Sequence, residues 1–475
     1  MEKSSFPPSI AGVFLFSMAY WLYLASTTSM VIVWDAAHYE SLGRMIYTQG
    51  WVPYFTTGPN NEPIYPLLIA ASMHMGHITG LAYVRIMAVF GVIIMFLTQA
   101  LTYKILRLFN IRNGICILVL AYLAMSPALN NSAFSLFSEI AAYPFILGIP
   151  LASYYAWEAI QQNNQKKSLG LGLLLGALLA MATLVKAVFE FIAPAYLIVF
   201  FATVFFQPAA CPRSAETNAP GTLQKIKTLL LCLAAAASFY YIPISGYKWL
   251  NLHYNGNFVM TDRGSWAIYG NTARRMEPLT PKRFAEALAF APGEGVCNSI
   301  FGPKECDFWS FRESDRFGLG KRNELSHQYL SPEKINTTLI SLSAQKVIHN
   351  PFQYALLTGI EGLKMFFWES TKIAFVTYPG WLQKIYDIKI FNNGLRFFVG
   401  LLTLIAMGAL WIGSFAPSRS LLGFLVGSLI FFYILFYSFF FILTRYALPI
   451  APLYLISIGI WLNRIFPLVL KRSLR

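Results

Sequence analysis

The sequence predicts an all-α polytopic membrane protein, and three observations lead there. The 475-residue chain is 56% hydrophobic, 16% aromatic and only 12% charged, with a mean hydropathy of +0.54. Soluble domains carry about a quarter charged residues. Apolar runs of roughly 18 or more residues, each long enough to cross a bilayer, recur from end to end. Basic residues gather in alternate loops between these runs, as the orientation of membrane-crossing helices requires.

Ten spans are expected, at 10–33, 82–106, 114–129, 134–157, 169–186, 188–206, 228–247, 394–414, 420–442 and 446–464. The first, Ile10 to Val33, is too long for a secretory h-region and lacks a small-residue cleavage site, so it reads as a retained span. Lys3, then Lys104, Arg107 and Arg112, then Lys166 and Lys167, then Arg213, Lys225 and Lys227 mark one side of the membrane. Arg419, Arg464, Lys471, Arg472 and Arg475 continue it, which places both termini in the cytoplasm. The net charge of +15 reflects this bias, and nothing in it points to nucleic acid.

Two connections then face outward: the first loop, 34–81, and the long segment 248–393. The expected organisation is an N-terminal membrane module (1–247), an outer loop domain (248–393) and a C-terminal membrane module (394–475). Within the outer domain, 351–377 is apolar and begins with Asn350-Pro351, a helix N-cap followed by an N1 proline. A crossing there would invert the basic tail. The segment also carries Glu361, Lys364, Glu369 and Lys372 at helical spacing, so it reads as one interfacial helix. The run 63–80 reads as interfacial too. Thr280-Pro281 and Ser331-Pro332 mark further helix starts. The domain holds 17 Lys and Arg against 13 Asp and Glu, and two cysteines, Cys297 and Cys306. An outward compartment permits a disulfide between them; two free thiols are the alternative.

Acids are scarce elsewhere. Beyond the outer domain the chain has Glu2, Asp35, Glu40, Glu62, Glu139, Glu158, Glu190 and Glu216. The topology brings Asp35, Glu40, Glu62, Glu139 and Glu190 to one membrane surface. Ionisable groups at that depth are costly, and are functional or paired. Bland readings stand beside the functional ones. Glu190 has Lys186 four residues away, Glu40 has Arg44 one turn on, and Asp35 suits the N-cap of a helix over 36–49.

The stretch "DAAHYESLGRMIYTQGWVPYF", from Asp35, resembles the first outer loop of membrane glycosyltransferases of the GT-C fold. It looks most like the branch of the aminoarabinose lipid A transferases and protein O-mannosyltransferases. Asp35, Tyr39, Arg44, Met45, Gly50 and Trp51 fall at matching spacing. Weaker echoes follow in order: Ser138-Glu139 at a span start, Lys186 in "LVKA", and Arg445-Tyr446 in "RYALPIAP". The chain departs from that pattern at His38, where an arginine is usual, at Ala36, where an acid is usual, and at Glu62, where a lysine is usual.

The resemblance implies inverting transfer of a sugar from a polyprenyl-phosphate donor to a hydroxyl or phosphate of a glycolipid, glycan or protein acceptor. It implies Asp35 as general base and Glu139 as a second carboxylate in the cavity. Arg445 is the first candidate for the donor phosphate, because it is a cation on the outer side that topology does not account for. Lys186, His38 and Arg85 come next, Arg85 having an alternative as an interfacial snorkelling residue. Tyr39, Arg44, Glu62 and Tyr446 complete the expected substrate-binding set, with Tyr39 and Trp51 also read as packing anchors. No cofactor is expected. Related oligosaccharyltransferases bind a divalent ion through acids spaced two apart, and "DAAH" supplies one carboxylate and one imidazole. The expected location is a bacterial inner membrane, with the site facing the periplasm. An O-antigen ligase or polymerase, or a transporter or flippase of lipid-linked glycans, are the competing readings. Transporters show repeats and broken helices with midplane polar groups.

Overall fold

Backbone in hydrocarbon must satisfy its hydrogen bonds within its own segment, so the apolar runs become helices. The structure is a computed structural model that describes residues 7–206, 222–261, 264–371, 373, 375–414 and 420–473. Lys3, Cys211, Arg213, Lys372, Arg419 and Arg475 lie outside the described residues.

Helix α1 (Pro8–Thr27) stops short of the expected Val33. The chain then runs extended through β1 (Ser29–Met30), which pairs antiparallel with β2 (Val376–Thr377), Ser29 opposite Thr377 and Met30 opposite Val376. Helix α2 (Asp35–Gln49) follows, then α3 (Trp51–Thr56) and α4 (Ile64–Thr79). Gly43 of α2 lies so close to α4 that an added Cβ would come within 2.6 Å of Ile69, which is why this crossing needs glycine.

The next run forms α5 (Tyr83–Leu108). The span expected at 114–129 is broken: α6 (Asn113–Met125) and α7 (Pro127–Ala133) are bent by 53°. Pro127 explains the break, since a prolyl nitrogen cannot donate to the preceding turn. Helices α8 (Glu139–Gln161), α9 (Gln165–Val185), α10 (Phe189–Phe206) and α11 (Thr222–Asn255) follow. Gly172 and Gly176 of α9 abut the carbonyls of Cys232 and Ala236 on α11, a small-residue seam of the kind that lets membrane helices approach closely. At 34 residues α11 is about 51 Å long, well beyond the ~30 Å hydrocarbon core. It therefore projects into the region expected to be loop.

That region is a layer of short helices: α12 (Gly264–Arg275), α13 (Pro281–Phe290), α14 (Glu294–Phe301), α15 (Pro303–Cys306), α16 (Phe311–Ser326), α17 (Pro332–His349) and α18 (Pro351–Leu363). The side chains of Thr280, Ser331 and Asn350 accept from the amides of Arg283, Lys334 and Gln353, so the three predicted N-caps form. Cys297 and Cys306 are joined by a disulfide inside a small core with Phe290, Trp309, Leu357 and Ile360.

The single helix expected over 351–377 does not form. Helix α18 ends at Leu363, a 3₁₀ turn covers Lys364–Phe366, and the next regular element among the described residues is β2. Its charges do not make a wetted face, because Glu361, Lys364 and Glu369 are all buried. Helices α19 (Gly380–Tyr386), α20 (Lys389–Ser414), α21 (Leu421–Tyr437) and α22 (Ala451–Ser473) complete the chain, a 3₁₀ turn over Thr444–Ile450 leading into α22.

Among the described residues, eight helices are long and apolar enough to cross a membrane, and the protein is an α-helical multi-pass membrane protein. The bent pair α6–α7 and the 17-residue α21 occupy the other two positions read as spans. The two ends of the bundle differ. At one, Lys225 donates to Gln161 at 3.0 Å, and the amide of Arg112 to Asn463 at 3.2 Å. Every carboxylate of the candidate site lies at the other.

Candidate functional site

Asp35 is the first residue of α2, with Trp34 at the N-cap. The reading of Asp35 as N-cap of a helix over 36–49 is therefore displaced by one residue. Trp34 has φ of 52°, a left-handed conformation that costs a non-glycine residue about 1–3 kcal/mol. This kink turns the chain from the β1 stretch into α2 and leaves the Asp35 side chain at the rim, 42% exposed.

Arg445 comes to it from 410 residues away, and its Nη2 donates to Asp35 Oδ2. The 3₁₀ turn at the head of α22 presents Arg445, whose side chain is 15% exposed. Its guanidinium sits 4.8 Å from the Phe137 ring centroid and 5.6 Å from that of Tyr446. Its buried Nε has no hydrogen-bond partner among the described residues.

Directly beyond Phe137 lies a second pair. Glu139 opens α8 and accepts from Lys186 Nζ at 2.9 Å, with the side chains 4% and 10% exposed. Lys186 follows the last residue of α9 in extended backbone, which swings its side chain away from the helix and across to α8. The next amide, Ala187 N–H, donates to Glu62 Oε1 at 2.7 Å. Tyr39 Oη lies 3.0 Å from Ser138 Oγ, and its ring meets Tyr65 edge-on at 5.2 Å. Burial pushes the Tyr39 hydroxyl up to about 12; Lys186 opposes this, and Glu62 and Glu139 reinforce it. Tyr39 is thus a proton-bearing packing residue rather than a base.

Asp35, Tyr39, Glu62, Glu139, Lys186, Arg445 and Tyr446 accordingly form one contiguous cluster, with half-buried His38 one turn beyond Asp35 on α2. Glu139, expected to line the cavity, is buried and committed to Lys186. Glu190 does not pair with Lys186 but with Lys248 of α11, at 2.7 Å. Two further candidates have other partners. Arg44 pairs with Glu40 at 2.7 Å on the outer face of α2, the solvated i,i+4 pair its spacing suggested. Arg85 donates to the carbonyls of Ala25 and Ser26 at 2.9 and 3.0 Å, closing the C-terminal end of α1.

The sequence reading missed a second set of buried charges. Glu361 accepts from Lys364 at 2.7 Å and from Arg274 at 3.1 Å, with Arg275 at 3.9 Å. Burial alone would raise the Glu361 pKa, but Lys364, Arg274 and Arg275 outweigh it and hold the carboxyl at about 2. Glu369 accepts from Tyr122 (2.6 Å), Ser126 (2.7 Å) and the amide of Ala128 (2.9 Å), tying the segment after the 3₁₀ turn to the α6–α7 bend. Their signal was present: each is a rare acid inside an apolar run.

Among the described residues, no group of three or more His, Cys, Asp or Glu side chains is placed to hold a metal ion. Neither the family models nor the curated proteins compared with this chain yield a match.

Proposed function

We propose that this protein is a membrane glycosyltransferase of the GT-C type. In this reading it moves a sugar, with inversion, from a polyprenyl-phosphate donor to a hydroxyl or phosphate of an acceptor at the membrane surface. The supporting observation is the Asp35–Arg445 pair, a carboxylate and a guanidinium held together at the rim of a helical bundle. A lipid-linked donor confines its reacting carbon to the headgroup plane, and a base at a bundle rim meets it there.

The pair suggests how the charges move. Asp35 takes the acceptor's proton as the acceptor oxygen bonds to the anomeric carbon. The bond from that carbon to the phosphate oxygen breaks, and the electron pair leaves with the lipid phosphate. Once protonated, Asp35 loosens its hold on Arg445, whose fixed fork then meets the charge developing on the phosphate. Before reaction the two groups neutralise each other. The buried Lys186–Glu139 pair forms the floor beneath and supplies a further cation. All ten helical positions act as spans in this reading, the site facing the periplasm of a bacterial inner membrane.

The test uses purified protein in lipid, wild type beside Asp35→Asn, offered a panel of undecaprenyl-phosphate sugars with envelope glycolipid as acceptor. Release of undecaprenyl phosphate is followed. Wild-type turnover reduced about 10²–10⁴-fold in D35N is expected, the size of a well-placed general base. Equal turnover by both proteins removes Asp35 from the chemistry. No turnover of any donor by folded wild type returns the ligase and transporter readings.

A further inference from the structure

The segment between α21 and the Thr444–Ile450 turn, residues 438–443, belongs to no helix or strand that could fix it. It nevertheless leads, through Thr444, to Arg445, whose position decides the geometry of the site. What fixes it comes from other elements. Glu361 Oε1 on α18 accepts from Ile442 N–H at 3.1 Å. Arg275 Nη2 on α12 donates to the Phe440 carbonyl at 3.2 Å, while its Nη1 donates to Thr358 Oγ1 at 2.9 Å. The Phe441 ring lies 5.2 Å from the Arg274 guanidinium and 4.4 Å from Lys364 Nζ. Arg396 on α20 donates through Nη2 to Thr444 Oγ1 and through Nε to the Phe367 carbonyl at 3.1 Å. At the near end, Gly362 lets α18 approach so closely that an added Cβ would lie 2.8 Å from Ser438 Oγ.

Packing alone does not call for this arrangement. Three cations, Arg274, Arg275 and Lys364, are buried around a single carboxylate, at a desolvation cost that apolar side chains would avoid. Buried polar networks of this kind fix one geometry where looser packing would allow several. The geometry fixed here is the path of residues 440–444, the last five residues before Arg445.

We propose that Glu361, Arg275 and Arg396 are positioning residues. Through residues 440–444 they set where the Arg445 guanidinium stands over Asp35, so the α12–α18 layer and α20 together govern how tightly the site grips a lipid phosphate. This rests on the transferase reading above. It adds that the phosphate grip is controlled by side chains that never touch the phosphate.

Thr444 gives the cleanest test, because Thr444→Val removes the Arg396 acceptor with little change of shape and Thr444→Ser keeps it. Undecaprenyl phosphate binding is measured by native mass spectrometry on full-length protein, alongside thermal unfolding. T444V is expected to bind about tenfold more weakly, equivalent to about 1.4 kcal/mol, with T444S at the wild-type level. In turnover, the KM for donor should rise more than kcat falls. Gly362→Ala, pushing at Ser438 from the other end, should weaken binding in the same direction should T444V fold poorly. Wild-type affinity in both T444V and G362A would overturn the positioning role alone. Wild type that holds no lipid phosphate would overturn the transferase reading and this proposal with it.

Discussion

The Lys186–Glu139 pair allows structure and chemistry to be separated quantitatively. At 2.9 Å, with side chains 10% and 4% exposed, the two charges attract by roughly 6 kcal/mol at an effective dielectric of about 20. Desolvating two ions costs several kcal/mol each, so the intact pair contributes little net stability. Removing one partner is different. Lys186→Met strands the Glu139 carboxylate in the interior, and breaking a buried pair costs about 3–5 kcal/mol. Glu139→Gln strands Lys186 in the same way. The double variant K186M/E139Q removes both charges and should lie closer to wild type than either single variant, giving a coupling energy of at least about 3 kcal/mol. Unfolding of the three variants in one detergent, by heat or by denaturant, measures the cycle. Single variants within about 0.5 kcal/mol of wild type, or losses that simply add, would refute the claim that the pair is desolvated. Turnover adds a second reading: a double variant that regains stability but not activity assigns the pair to the reaction as well as to the fold.

Two further outcomes follow from the outer helical layer. The Glu361 carboxyl is held at about 2, below its ordinary 4.5, so its contribution is complete above the ordinary value and is lost as pH falls from about 4.5 towards 2. Thermal unfolding from pH 6 to pH 3 should show a stability loss that Glu361→Gln largely removes; parallel profiles for wild type and E361Q would sink this. The disulfide closes a loop of sequence separation 9, for which the chain-entropy model gives roughly 2–3 kcal/mol. Cys297→Ser with Cys306→Ser should lower the stability of the α12–α18 layer by about that amount, and a change under about 0.5 kcal/mol would show that the surrounding core holds the loop closed without it.

The class of the molecule was legible in the sequence by itself. Backbone cannot lie unpaired in hydrocarbon, so long apolar runs have no alternative to helix, and helices occupy all ten positions read from hydropathy. The three N-caps of the outer layer were equally legible, because Thr280, Ser331 and Asn350 act on amides only a few residues away. Local cues, however, could not say where Val31 to Trp34 would run. Their apolar character continues α1, but pairing of Ser29 and Met30 with β2 pulls the chain out of the helix.

The partner of each charge was beyond the sequence for the same reason. Spacing favours Glu190 with Lys186, yet desolvation acts on whatever the fold places nearest, so Lys186 goes to Glu139 and Glu190 to Lys248. Glu40 with Arg44, on an exposed helix face, kept the neighbour its spacing offered, and so did Glu361 with Lys364. Glu361, Lys364 and Glu369 show the same division. A helical repeat of charges looks like a wetted face, but Glu361 is buried within α18 itself, and Lys364 and Glu369 are buried beyond its end at Leu363. The sequence determined which residues carry charge at the bundle mouth. The tertiary structure decided which of them meet, because a contact such as Asp35 with Arg445, 410 residues apart, exists only once the helices between them have packed.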